Sequence, residues 1–86
     1  MERKKIGEVF HYFSKLGVAA IRLVEGGLAV GDTIQLQGPS TNVTQTVDSM
    51  QIDQKEVKRA EKGQSVGIKV KDKVREKDLV FQILPG

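Results

Sequence analysis

Apolar and polar positions alternate along most of this chain in short runs, which is the period of strands half-buried in a β-sheet. The clearest run is Thr33–Gln37, where Ile34 and Leu36 alternate with polar neighbours. Runs of this kind predict six strands, at about residues 5–13, 18–24, 33–37, 43–53, 65–71 and 79–84. All the connections are short, which favours antiparallel neighbours over strands linked by crossover helices. The pattern therefore predicts an all-β fold.

The same alternation predicts which side chains are buried. The inward sets are Ala19, Ile21 and Leu23 in the second strand, Val66, Ile68 and Val70 in the fifth, and Phe81 and Ile83 in the sixth. In the fourth strand the buried parity changes between Val47 and Met50, so a bulge is expected near residues 48–49. Residues 55–61 have too few apolar anchors for a stable helix and are expected to be extended. Val74 is expected to anchor the charged segment 72–78.

Glycines mark the turns between these runs. Gly31 and Gly63 each lead directly into an apolar run, where a positive φ is expected. Gly27 and Gly67 lie in the same two glycine-containing segments and are expected to be structural turn residues as well. Residues 38–42, with the sequence Gly-Pro-Ser-Thr-Asn, form the strongest turn cluster. This cluster predicts a mobile surface loop.

A length of 86 residues indicates one small domain of marginal stability. The chain has no cysteine, so disulfides and thiolate metal sites do not contribute. Closing the sheet would bury one face of every strand and leave no exposed edge. We therefore expect a six-stranded closed antiparallel β-barrel over residues 6–84. Residues 1–5 are expected to form a basic N-terminal tail, and residues 85–86 a short C-terminal end.

The charge is mildly basic and unevenly distributed. The formal net charge is +3, and nine positive and six negative side chains fall in residues 51–86. This distribution allows an anionic partner such as RNA. No apolar run approaches the ~20 residues of a membrane helix. Glu8 follows the basic start too early for a signal peptide. We expect no membrane contact and a cytoplasmic location.

Basic side chains occupy every second position over residues 69–77 and form a candidate anion-binding stripe. Its members are Lys69, Lys71, Lys73, Arg75 and Lys77. On a continuous strand all of them would project from one face, where a row of cations can follow the phosphates of RNA. Asp72, Glu76 and Asp78 interrupt the row, so a solvated outer face of the barrel is the alternative interpretation.

Aromatic residues are concentrated in the first strand. Alternation places Phe10 and Tyr12 on one face and Phe13 on the other, so one set could be exposed and bind a base or a protein. Core packing is the alternative. His11 is the one histidine in the chain, so no metal site and no catalytic role are expected from it.

The order of these signals resembles the second domain of elongation factor Tu and related translational GTPases, over about residues 6–84. The segments that carry the resemblance are residues 7–10, 17–19, 27–34, 47–51, 60–68 and 79–81. The resemblance implies a six-stranded antiparallel barrel and a stand-alone elongation-factor-like protein without the GTPase domain. Similar barrels also occur as appendages on collagenase-like peptidase-family proteins linked to RNA modification.

The resemblance also implies candidate residues for a partner surface. Glu8, Val9 and Phe10 resemble the segment of the first strand that lines the aminoacyl pocket of elongation factor Tu. Ser65 stands where those factors usually have asparagine, and Tyr12 lies beside this region. The chain has no phosphate-binding loop, since Lys62 and Gly63 are isolated and in the reverse order. We therefore expect no nucleotide, no cofactor and no enzymatic activity.

Two functions follow as hypotheses. The first is an accessory module that binds RNA, either tRNA or the ribosome, or a translation-related complex. The alternative is a protein-interaction module that docks on a larger enzyme or GTPase without contacting RNA. The first predicts binding through the basic stripe that is sensitive to salt. The second predicts salt-tolerant binding through an apolar patch near Phe10 and Tyr12.

Overall fold

The computed structural model describes residues 2–84, which form ten β-strands. The strands are β1 (Glu2–Phe13), β2 (Val18–Leu23), β3 (Leu28–Ala29), β4 (Thr33–Gly38), β5 (Thr41–Thr46), β6 (Met50–Ile52), β7 (Lys55–Val57), β8 (Arg59–Ala60), β9 (Ser65–Lys69) and β10 (Leu79–Leu84). The all-β prediction is confirmed. Within residues 2–84 there is no helix with the length and hydrophobicity of a membrane span.

Eight strands form one antiparallel sheet in the order β5-β4-β10-β1-β2-β9-β6-β7, and β3 pairs separately with β8. Among the described residues the end strands β5 and β7 each have one neighbour, so backbone pairing does not close the sheet. The predicted closed six-stranded barrel is therefore not confirmed. The predicted fourth strand is divided into β5 and β6, and β3, β7 and β8 are additional short strands.

The division between β5 and β6 has a local cause. The Val47 N–H donates to the Asp32 carbonyl oxygen (2.8 Å), and the Gly31 N–H donates to the Val47 carbonyl oxygen (2.9 Å). These bonds continue the β4–β5 pairing to Val47 through a glycine bulge at Gly31 (φ 99°), and the pairing ends there. Val47 and Met50 are nevertheless both buried. The predicted change of parity is thus present, as an interruption of residues 47–49 rather than as a one-residue bulge.

A side chain spans the gap between β5 and the end of β9. The Gln45 amide donates to the Lys69 carbonyl oxygen (2.8 Å), and the Lys71 N–H donates to the Gln45 carbonyl Oε1 (3.0 Å). The amide thus forms both bonds that a strand residue would make with a neighbour. We call this junction the seam. It joins the end strand β5 to the chain at the end of β9, where backbone pairing is lacking.

The core contains most of the side chains that alternation predicts. The predicted inward residues of the second and fifth strands, with Ile34, Leu36 and Val74, are all buried. In β10 the prediction is wrong, because Val80 is fully buried while Phe81 and Ile83 are half-buried. The Arg3 guanidinium lies over the Phe81 ring, 4.0 Å from its centroid. Because β10 has apolar side chains on both faces, its sequence does not show which face is buried.

Residues 2–5 belong to β1 and do not form the tail that the charge pattern suggests. They pair with β10, with Glu2 opposite Leu84 and Lys5 opposite Phe81. Arg3 Nη1 donates to Gln35 Oε1 (2.9 Å) and to Gln37 Oε1 (2.6 Å). Ladder bonds and these side-chain bonds hold the basic segment against the sheet. The predicted C-terminal end, residues 85–86, lies outside the described residues.

Two connections between neighbouring strands are two-residue turns. Gly38 pairs with Thr41, so β4 and β5 are joined by a two-residue turn at residues 39–40. The turn predicted within residues 38–42 is thus present, but it is shorter than the predicted loop, because Gly38, Thr41 and Asn42 belong to the strands. Residues 55–61 are extended as predicted, and the turn before them has positive φ at Asp53 (52°) and Gln54 (67°). Two consecutive positive φ angles are typical of two-residue hairpin turns.

The four predicted turn glycines divide into two kinds. Gly31 (φ 99°) and Gly63 (φ 95°) have the positive φ that the sequence predicts. Gly27 precedes β3, and an added Cβ would lie 2.8 Å from the Ala60 carbonyl oxygen, so close packing explains this glycine. Gly67 lies within β9 and is not a turn residue.

Replacing Gly31 or Gly63 with valine is expected to lower the free energy of unfolding by roughly 1–3 kcal/mol each. The cost comes from backbone strain, since an added Cβ meets no atom within 4 Å at either position. Thermal melting of both variants tests this expectation. If both melt at the temperature of the parent, these turns do not require glycine.

Candidate functional site

A bulge in β1 determines which aromatic side chains are exposed. The pairing with β2 runs from Val9 opposite Ile21 to His11 opposite Ala20, which leaves Phe10 as an extra residue. Phe10 (41% exposed) and Phe13 (44% exposed) consequently line the same groove, while Tyr12 packs against the core. The prediction that Phe10 and Tyr12 share a face opposite Phe13 is therefore wrong. One inserted residue reverses the parity of the strand beyond it.

Phe10 and Phe13 form part of a groove of about 390 Å³ on the outer face of the sheet, here called the aromatic groove. Leu16, in the turn between β1 and β2, is 66% exposed and extends the apolar wall. The other lining residues are Val18, Ala20, Gln51, Asp53, Gln54, Ser65, Val66 and Gly67. The groove thus combines an aromatic and aliphatic wall with polar side chains from β6, the following turn and β9.

Small residues keep this groove open. Ala20 and Ser65 line it, and an added Cβ at Gly67 would lie 3.3 Å from the Val18 Cγ1 atom. The Arg22 guanidinium lies 5.3 Å from the centroid of the Phe10 ring and adds a positive charge beside the wall. Gly67 therefore leaves space in the groove, and it does not form a turn.

The structure unites two of the four residues that the sequence predicts for a partner surface. Phe10 and Ser65 both line the aromatic groove, whereas Glu8 and Tyr12 do not. Glu8 is exposed on β1 opposite Arg22. Sequence reasoning missed Leu16, although a leucine within a short polar turn is a recognisable signal of an exposed apolar side chain.

The predicted basic stripe does not form a single row. Strand β9 ends at Lys69, the chain bends at residues 71–72, and Lys77 has a φ of 75°. Lys69 and Lys71 line a crevice at the seam, whereas Arg75 and Lys77 line a smaller crevice beside the turn at residues 39–40. Lys73 lines neither crevice, although all five side chains are exposed.

A buried carboxylate helps to bend this segment. Asp78 is 2% exposed, and its Oδ2 accepts a hydrogen bond from the Arg75 N–H (2.8 Å). The Lys77 N–H donates to the Val9 carbonyl oxygen (2.7 Å). These bonds fold residues 75–78 into a turn, which ends the strand alternation that the stripe would require.

Among residues 2–84 the one histidine lies beside a single carboxylate. His11 Nδ1 lies 3.1 Å from Glu76 Oε2, and both side chains are largely exposed. No histidine lines the aromatic groove with Ser65. Within residues 2–84 no three histidine, aspartate or glutamate side chains come together as potential metal ligands.

Residues 17–80 match the family model described as elongation factor Tu domain 2, and this segment runs from the β1–β2 turn into β10. The chain belongs to the elongation factor Tu domain 2 family. Membership supports a translation-factor-like β-domain. The family match begins after Phe10 and Phe13, so one wall of the aromatic groove lies outside the matched segment.

Curated relatives carry a similar segment within much longer proteins. A collagenase of Porphyromonas gingivalis is 38% identical over 82 residues, which is 94% of this chain and 23% of the relative. An uncharacterized protease of Methanocaldococcus jannaschii is 44% identical over 78 residues, which is 90% of this chain and 19% of the relative. The chain thus spans about a fifth of the length of these relatives. They are not stand-alone elongation factors, and neither name refers to RNA or the ribosome.

A solved structure shows the same fold. The C-terminal domain of a Geobacillus thermoleovorans protein classed as a U32 peptidase has a TM-score of 0.85 at 21% identity. The superposition covers 94% of this chain and 93% of that domain. A selenomethionine variant of the same domain gives a TM-score of 0.83 at 24% identity. In that protein this fold is a C-terminal domain.

Proposed function

We propose that this member of the elongation factor Tu domain 2 family is a non-catalytic docking module of a protease- or collagenase-type protein. The observation that carries the proposal is the difference between the share of this chain and the share of each relative that the match covers. They match 90–94% of this chain but only 19–23% of their own length. A unit that recurs whole within longer proteins is expected to present a surface to the rest of those proteins.

The aromatic groove has the properties that such docking requires. Phe10, Phe13 and Leu16 expose apolar area side by side, and large aromatic side chains contribute most to the energy of protein interfaces. A contiguous apolar patch on a small domain is also typical of an interaction site. The predicted partner is therefore the surface of the larger enzyme, and the contact is apolar rather than ionic.

The absence of a catalytic arrangement in the groove supports a binding role. Ser65 is the one hydroxyl-bearing residue that lines it, and a serine nucleophile needs an adjacent general base. Asp53 lines the groove as a single carboxylate, whereas acid–base chemistry commonly uses paired groups with different pKa values. In this proposal any catalytic residues lie elsewhere in the larger protein, and this module positions or recruits that protein.

Affinity capture distinguishes this proposal from RNA binding. The tagged chain is incubated with lysate of its own cells, with and without RNase, in 0.1 M and in 0.5 M salt, and captured proteins are identified by mass spectrometry. We expect a protease- or collagenase-type polypeptide to be retained under all four conditions, because apolar contacts are little weakened by salt. Loss of every specific partner after RNase treatment would contradict the proposal.

A further inference from the structure

The seam creates a second surface site, separate from the aromatic groove. A crevice of about 650 Å³ lies between β5 and the end of β9, and we call it the seam crevice. The residues that line it include Thr33, Thr44, Thr46 and Ser49, which carry hydroxyl groups, and the two lysines Lys69 and Lys71. Hydroxyl and ammonium groups are both hydrogen-bond donors, so this lining is chemically suited to an oxyanion.

The charge of the crevice is positive. Among residues 2–84, neither the Lys69 nor the Lys71 ammonium lies within 4.0 Å of a carboxylate. Asp48 is the one carboxylate among the residues that line the crevice. Two cations against one anion leave a net charge of +1. An oxyanion that binds between the lysines would therefore gain more from attraction than it loses to repulsion by Asp48.

The lysines are attached to backbone that is held in place. The bonds from Gln45 to the Lys69 carbonyl oxygen and from the Lys71 N–H to Gln45 fix both attachment points. Val70, between them, is buried, and its N–H donates to the Gly17 carbonyl oxygen (2.8 Å). Because the backbone is already fixed, binding costs no backbone ordering beyond the side-chain entropy that the two lysines lose when they converge on one ligand.

The seam crevice continues into a neighbouring one. Thr33 and Thr44 line both, and the second crevice extends to Gln35 on β4 and Ile83 on β10. Asp32 also lines the second crevice, but its Oδ2 already accepts hydrogen bonds from the Ala29 N–H (3.0 Å) and from Gln82 (2.9 Å). The second crevice has the Asp32 carboxylate and no lysine or arginine in its lining, so the cations that favour an oxyanion are confined to the seam crevice.

We propose that the seam crevice binds phosphate groups, with Lys69 and Lys71 as the charged contacts. The phosphate can come from free inorganic phosphate or from the backbone of an RNA strand, since both present the same oxyanion. This site uses two of the five residues of the basic stripe that the sequence suggests. Arg75 and Lys77 lie on a different crevice and do not belong to it.

Binding of a fluorescent 12-nucleotide oligouridylate, measured by anisotropy at several salt concentrations, tests the proposal. The double variant Lys69→Gln with Lys71→Gln is expected to bind at least about tenfold more weakly. Its log–log salt slope should fall by about 1.4, which is ~0.7 for each lost contact with single-stranded RNA. The variant Asp48→Asn is expected to bind about threefold more tightly, because a repulsive charge is removed.

The control is the double variant Lys55→Gln with Lys58→Gln, which has the same change of net charge on exposed positions elsewhere. It should weaken binding by less than about threefold. Displacement of the oligouridylate by inorganic phosphate assigns the site to free phosphate, and resistance to phosphate assigns it to RNA backbone. Equal losses from the two lysine pairs, no gain from Asp48→Asn, or binding of polyglutamate but of neither phosphate source would each overturn the proposal.

Discussion

Replacement of Gly7 by alanine is expected to lower the free energy of unfolding by about 3 kcal/mol or more. Gly7 lies where the pairing of β1 with β10 shifts register, and it also pairs with Leu23 on β2. An added Cβ would overlap the carbonyl oxygen of Arg22. The obstacle is backbone in a central strand, so neither a rotamer change nor a small side-chain movement relieves it.

The effect is large relative to the whole stability of the domain. A chain of 86 residues has a free energy of unfolding of about 4–13 kcal/mol, at roughly 0.05–0.15 kcal/mol per residue. A loss of 3 kcal/mol corresponds to a fall of about 12–24 °C in melting temperature for a domain of this size. Differential scanning calorimetry of the parent and the variant measures this fall.

Gly63→Ala is the matched control for this variant. It introduces the same methyl group at a position where no atom lies within 4 Å, so it carries only the cost of a positive φ, about 1 kcal/mol. Gly7→Ala should therefore melt well below Gly63→Ala. Equal melting temperatures would contradict the close approach of β1 and β2 at Gly7.

Replacement of Phe13 and Leu16 together by serine is expected to weaken binding of the docking partner by about 100-fold or more. Two exposed apolar anchors at the centre of an interface contribute 2 kcal/mol or more each when they are hot spots, and 1.4 kcal/mol corresponds to tenfold in affinity. Both side chains are largely outside the core, at 44% and 66% exposure, so the fold should be retained. Titration calorimetry with the purified partner measures the change.

The control for this pair is Val24→Ser with Val30→Ser. These valines are 39% and 40% exposed and do not line the aromatic groove, so the control removes exposed apolar area elsewhere. We expect it to leave the affinity for the partner within about threefold of the parent. Equal losses from the two pairs would mean that the groove is not the docking surface.

The sequence predicts those features that depend on alternation within one strand or on one backbone angle. Ile34 and Leu36 on β4 follow strict alternation and are buried as predicted. Gly31 and Gly63 have the predicted positive φ, because a turn leading directly into a strand is a local property. Such features require no knowledge of which strands are neighbours.

The remaining features depend on contacts between distant residues. The bulge at Phe10 appears only in the register between β1 and β2, and it moves Phe13 to the side of Phe10. The basic stripe is divided because residues 75–78 form a turn, which the bond from the Lys77 N–H to the Val9 carbonyl oxygen on another strand holds in place. Alternation within a segment carries no information about these partners. The sequence therefore predicted two residues of the aromatic groove, Phe10 and Ser65, but it did not predict that Phe13 and Leu16 join them.

Site-specific photo-cross-linking tests the docking proposal most directly. A benzophenone amino acid replaces Phe13 in the aromatic groove in one variant and Val30, outside the groove, in another. After irradiation in cells that produce the chain, cross-linked peptides are identified by mass spectrometry. The account predicts cross-links from position 13, and not from position 30, to a protease- or collagenase-type polypeptide. Cross-links from position 13 only to RNA or ribosomal proteins, or the same products from both positions, would contradict it.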